Sequence, residues 1–142
     1  MAARADIVAA ILADVDSVAA LTGSAYSGRR DRVDAGSLPS AYVYGTTETA
    51  EPVTVGRNAR TIAWSLNVQV DVYAAASAAA EIEPTLDTLT TAIIAAVAAD
   101  TTLGGSASAV TITARDFEYS DSTQAATGAA SLTFVAEYEA AE

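Results

Sequence analysis

The run TIAWSLNVQVDVY at positions 61–73 constrains the fold more than any other stretch of the chain. Ile62, Trp64, Leu66, Val68, Val70 and Val72 alternate with Ala63, Ser65, Asn67, Gln69 and Asp71. Successive side chains of a strand point to opposite faces, so this pattern predicts a long strand with one face buried. The opposite face is polar and carries a single charge, Asp71, which suits open water or a hydrated protein partner. A sheet covered on one side follows, and something apolar must cover it.

Two segments have the spacing to do so. Ile7, Val8, Ile11, Leu12, Val15, Val18 and Leu21 fall on one helical face, Asp6, Asp14, Asp16 and Ser17 fall largely off it, and Thr22-Gly23 supplies a stop. In the stretch from Ala74 to Asp100, Ile82, Leu86, Leu89, Ile93 and Val97 recur at helical intervals. Glu81, Glu83 and Asp87 complement its N-terminal dipole, Pro84 suits a first turn, and Leu103-Gly104-Gly105 ends it.

Further strands are predicted from Leu38-Pro39 through Tyr44, around Val110 to Tyr119, and around Ala130 to Tyr138, the last two joined by the polar connector Ser120 to Gly128. Gly45 to Arg60 reads as a long polar excursion, a protruding hairpin or flexible arm in which only Val53 and Val55 could anchor. The order helix, strands, helix, strands predicts an α+β fold. It is a mixed or antiparallel sheet of about four to five strands packed against two helices, in a single domain over 1–142.

Composition removes most chemistry. The chain has no cysteine and no histidine, and all seven of its basic residues are arginine. Thiolate nucleophiles, disulfides, Cys- or His-based metal sites, the commonest general base and lysine Schiff bases are therefore excluded, and no phosphate-binding glycine motif is present. Asp116, Glu118 and Asp121 form the densest acidic group, but their spacing matches no calcium loop and they read as solvated charges. The expectation is a protein that is not an enzyme and needs no cofactor or metal. No run approaches the ~20 uninterrupted apolar residues of a membrane span, so no membrane association is expected.

The formal charge of −11 repels phosphate backbones, which disfavours nucleic-acid binding as a main role. Against that balance, Arg29, Arg30 and Arg32 lie within one connecting segment. Neither helical nor strand periodicity requires them for a core. They read either as a basic surface facing carboxylates on another subunit or as charges paired locally with Asp31 and Asp34.

The succession of a first helix, LPSAYVY, a charged hairpin region, WSLNVQVDVY, IEPTLDTLTTAIIAAVAAD, LGG, RDFEYSDS and a closing SLTFVAEYE resembles the tail terminator family of long-tailed, siphovirus-like phages and viruses over nearly the whole chain. That resemblance implies a small α+β subunit that forms a ring, most often a hexamer. The ring caps the tail tube, ends its polymerisation and offers a surface to the head-tail connector. The implied location is the head-proximal end of the virion tail, after assembly in the host cytoplasm, with DNA passing through the lumen without specific binding. On this reading Arg29, Arg30, Arg32, Thr46, Thr47, Glu48, Arg57, Arg60, Asn67 and Gln69 are candidates for contact with the tail tube protein or a neighbouring subunit. The alternatives are a head-tail connector or tail-completion protein of the neck, or a small acidic binding domain unrelated to virions.

Overall fold

In the computed structural model, which describes residues 3–28, 39–55, 59–76, 79–120 and 126–141, the alternating run lies at the centre of a five-stranded sheet. Helix α1 (Ala3–Asp16) and a 3₁₀ turn (Ala19–Leu21) lead into a short strand β1 (Ala25–Ser27). A long hairpin of β2 (Ser40–Val55) and β3 (Ala59–Ala76) precedes helix α2 (Ala79–Ala99). A second 3₁₀ turn (Leu103–Gly105) then leads to β4 (Ala109–Ser120) and β5 (Ala126–Ala141). The spatial order is β1-β2-β3-β5-β4. β1 runs parallel to β2 and every other pair is antiparallel, so the sheet is mixed and the architecture is the α+β fold expected from the sequence.

Both helices pack on one face. Leu66, Val68, Val70 and Val72 of β3 and Leu132, Phe134 and Ala136 of β5 are buried there against Ile7, Ile11 and Val15 of α1 and Leu86, Ile93 and Val97 of α2. Side chains of this size contribute about 1.5–3 kcal/mol each when fully buried, which makes this layer the main source of stability. By length and composition, Glu81–Ala99 is apolar enough to cross a membrane. In this fold its large apolar residues Ile82, Leu86, Leu89, Ile93 and Val97 lie on the sheet.

Several boundaries differ from the sequence reading. α1 ends at Asp16, five residues before Leu21, and the chain closes on itself there. The Asp16 side chain accepts from the Gly23 N–H at 2.9 Å, and the Thr22 hydroxyl donates to the Asp16 carbonyl at 2.9 Å. Gly23, at φ +79°, supplies the left-handed backbone that the reversal requires. α2 starts at Ala79, so Pro84 lies beyond the first turn. The helix propensity of the preceding alanines extends the helix upstream of the proline despite its missing N–H. β1 had no strand signal beyond a short apolar patch, and it forms because its three residues pair with Ala41, Tyr42 and Val43.

Gly45 to Arg60 is the largest departure from a loop-like reading. β2 runs to Val55 and pairs with β3 down to Val55 opposite Ala59, while β5 flanks the other side of β3 as far as Thr61 opposite Ala141. The expected hairpin is thus a ladder flanked by a third strand over most of its length. Four threonines and two valines lie in the segment, and β-branched side chains favour a pleated surface.

Candidate functional site

No described element lies over the second face of the sheet. Register places Tyr44, Thr49 and Glu51 of β2 on it, together with Ser65, Asn67, Gln69 and Asp71 of β3 and Ser131, Thr133, Glu137 and Glu139 of β5. Its centre is a hydrogen-bonded lattice of side chains. The Tyr44 hydroxyl donates to Asp71 Oδ2 at 2.7 Å, and the Ser131 hydroxyl donates to Asp71 Oδ1 at 3.0 Å. Gln69 donates through Nε2 to the Ser131 hydroxyl and accepts at Oε1 from the Thr133 hydroxyl at 3.1 Å. Cross-strand neighbours standing directly opposite make these contacts possible, since Gln69 faces Thr133 and Asp71 faces Ser131. The result is a flat, half-buried polar surface whose groups are already oriented.

Towards the hairpin end the same face dips into an open trough of about 460 Å³. Ala63 and Ser65 are small and form its floor, Thr49 and Glu51 rise on the β2 side, and Glu137 and Glu139 rise on the β5 side. At the opposite margin the Tyr26 ring stacks on Tyr42 at 5.4 Å, and Tyr42 meets Tyr73 edge-on at 5.8 Å. Tyr26 is 41% exposed and is the one large apolar side chain exposed among the described residues.

Two bulges decide which residues reach this face. β2 carries one extra residue between Gly45 and Glu48, and β4 carries one between Ile112 and Ala114. Each shifts the alternation by one, so every residue beyond it changes sides. In β4 the shift turns Arg115 and Phe117 towards α2 and leaves Asp116 and Glu118 on the uncovered side. The Arg115 guanidinium donates to Asp87 Oδ1 at 3.2 Å and to the hydroxyls of Thr90 and Thr91 at 3.4 and 3.3 Å.

The residues singled out from sequence are divided by this geometry. Asn67 and Gln69 lie on the uncovered face. Thr46 and Thr47 sit in the β2 bulge, exposed, with the Thr46 hydroxyl donating to the Asn67 carbonyl at 3.2 Å. Glu48 lies on the helix side, opposite Leu66, with Arg4 Nε 3.8 Å from its carboxylate. There it adjoins Tyr138, which stacks on Trp64 at 6.3 Å. Burial and then the Glu48 carboxylate push the Tyr138 hydroxyl up, with Arg4 opposing part of the effect. Arg60 pairs through its backbone with Thr54. Arg29, Arg30, Arg32 and Arg57 lie outside the described residues, as does Asp121. Among the described residues no three acidic, histidine or cysteine side chains are grouped to hold a metal ion.

Sequence reasoning passed over Tyr44, Ser131, Thr133, Glu137 and Glu139. The signal for the last four was present in SLTFVAEYE, where polar residues at every second position, interrupted only by Val135, mark a second strand contributing to the same face.

No protein-family model and no curated protein matches the sequence. Among solved structures the chain is similar to one described as the virion of a native gene transfer agent (GTA) particle, with 14% sequence identity, a TM-score of 0.44, and coverage of 93% of each chain.

Proposed function

We propose that the chain is a structural subunit of a long-tailed virion that assembles into a closed ring, most simply a hexamer, at the head-proximal end of the tail tube. There it ends tube polymerisation and presents the joining surface for the head connector. The observation that carries the reading is the one-sided sheet. Its helices bury one face, while the other is a flat array of oriented hydroxyl, amide and carboxylate groups with no described element above it. Such a surface resembles the polar, pre-formed contact area of subunit interfaces far more than a catalytic cleft. The sequence resemblance to tail terminators supplies the type of assembly.

The role is non-catalytic and needs no cofactor. With neither histidine, cysteine nor lysine, the chain holds no ready nucleophile–base pair. A ring of subunits each carrying a formal charge of −11 repels DNA in its lumen, which lets the genome pass without being held. The test is negative-stain microscopy of the purified protein combined with addition to polymerising tail tubes. Rings about one subunit thick, and tubes arrested with the protein at one end, are expected. Monomer from micromolar to near-millimolar concentration together with unarrested tubes would overturn the reading. Rings that decorate the head connector and leave tubes uncapped would favour the neck-connector alternative.

A further inference from the structure

Among the described residues, the charges of the uncovered face are all of one sign. Glu51, Asp71, Asp116, Glu118, Glu137 and Glu139 lie on it by register, and no described cation does. Arg4 and Arg115, the two arginines whose side chains are described, both lie on the helix side and both pair within the subunit, with Glu48 and Asp87. A face with six carboxylates and no cation among the described residues repels a copy of itself, and a cover that brings cations is favoured.

The shape of the face points to guanidinium in particular. The trough of about 460 Å³ has a floor of small side chains and carboxylates on both rims, matching the planar fork of arginine, which binds carboxylates through paired hydrogen bonds. The exposed Tyr26 ring at the other margin offers a second kind of arginine contact, through its π face. A second copy of this chain carries the matching groups. It has no lysine, and five of its seven arginines, Arg29, Arg30, Arg32, Arg57 and Arg60, lie in sequence in the connections after β1 and β2 and at the start of β3. The connection holding three of them leaves the sheet at Gly28, whose N–H donates to the Val43 carbonyl at 2.7 Å, and returns through Pro39. A head-to-tail contact sets two different surfaces of identical subunits together, so arginines of one copy can meet carboxylates of the next.

We infer that the uncovered sheet face, with the Glu51–Glu137–Glu139 trough at its hairpin end, is the receptor for Arg29, Arg30 and Arg32 of a second copy. The inference rests on the ring reading and specifies which surface of the subunit accepts its neighbour. Neutralising the trough removes the attraction without touching the helix-covered core.

Sedimentation velocity on the wild-type chain and on E51Q/E137Q/E139Q, with melting temperatures as a fold control, tests it. Self-association weakened about tenfold or more at an unchanged melting temperature is expected. Recovery is expected when Arg30→Glu and Arg32→Glu are combined with Glu137→Arg and Glu139→Arg. Equal assembly of the wild type and the glutamine variant would overturn the receptor and leave the ring reading standing. A wild type that stays monomeric would instead remove the ring reading. A synthetic peptide of residues 27–34 then decides the receptor by itself. Amide shifts at Ala63 and Ser65 that vanish in the glutamine variant uphold it, and their absence overturns it.

Discussion

Asp14, near the end of α1, and Asp100, just past α2, face each other through their carboxyl groups, and Asp14 Oδ2 is buried with no other partner. Two such groups share a hydrogen bond only with a proton between them. Burial, that hydrogen bond and the Asp100 charge push the Asp14 carboxyl up from 3.8 to about 7. The folded protein therefore holds a proton that the unfolded chain releases. This stability is fully present below the ordinary aspartate range and is lost as pH rises through about 7. Because the site is partly solvated, the effect is on the order of 1–2 kcal/mol after screening. Asp14→Asn, which donates to Asp100 at every pH, should melt like the wild type at about pH 3, where folded and unfolded chains both keep the proton, and several degrees higher at pH 8. Parallel melting curves across that range would show that the pair carries no proton.

At Gly128 of β5 two side chains of α2 press close on the sheet. A Cβ there would lie 2.8 Å from Leu86 Cδ1, 2.9 Å from Ile82 Cγ1 and 3.3 Å from the Glu118 carbonyl oxygen. The two side-chain ends can yield slightly to alanine, and the backbone oxygen cannot yield to a branched residue. Gly128→Val should therefore cost about 1–3 kcal/mol and Gly128→Ala less, by chemical denaturation. Ile82→Val should reduce the alanine penalty, since the two residues share the same space.

Arg115 ties β4 to α2 through Asp87, Thr90 and Thr91, and its guanidinium lies 5.3 Å from the Phe117 ring centre. The ion pair is partly exposed, so its Coulomb contribution is small. Arg115→Ala should cost about 1 kcal/mol, and Arg115→Lys should recover less than half, because one ammonium cannot serve three acceptors and a ring together. Raised salt should change the wild-type stability only slightly if packing and hydrogen bonds dominate.

On the uncovered face, Ser131 links Asp71 and Gln69. Ser131→Ala breaks both links but leaves the partners within reach of water, so the expected cost is about 1 kcal/mol with an unchanged circular dichroism spectrum. Its effect on assembly should exceed its effect on melting, because in the proposed ring a partner covers the surface that the serine orders. A loss of fold would instead make the lattice part of the core.

The alternation of Ile62 to Val72 and the helical spacing of Ile7 to Val15 and Ile82 to Val97 determine by themselves a sheet with helices on one side. Burying those stripes is the dominant free-energy term, and their periods admit no other elements. Asn67 and Gln69 were legible as uncovered for the same reason. Tertiary structure alone decided the rest. β1 exists only because β2 offers it hydrogen bonds, and Gly45 to Val55 is strand because β3 templates it. A single extra residue in β2 turns Glu48 inward to Arg4, and another in β4 turns Arg115 inward to α2. In β2 the bulge falls among polar residues and leaves no mark in hydrophobic periodicity, and in β4 the step from Val110 and Ile112 to Phe117 shows that the phase changes but not at which residue. The faces of Glu48, Arg115 and Asp116 were therefore fixed by strand pairing across the sheet.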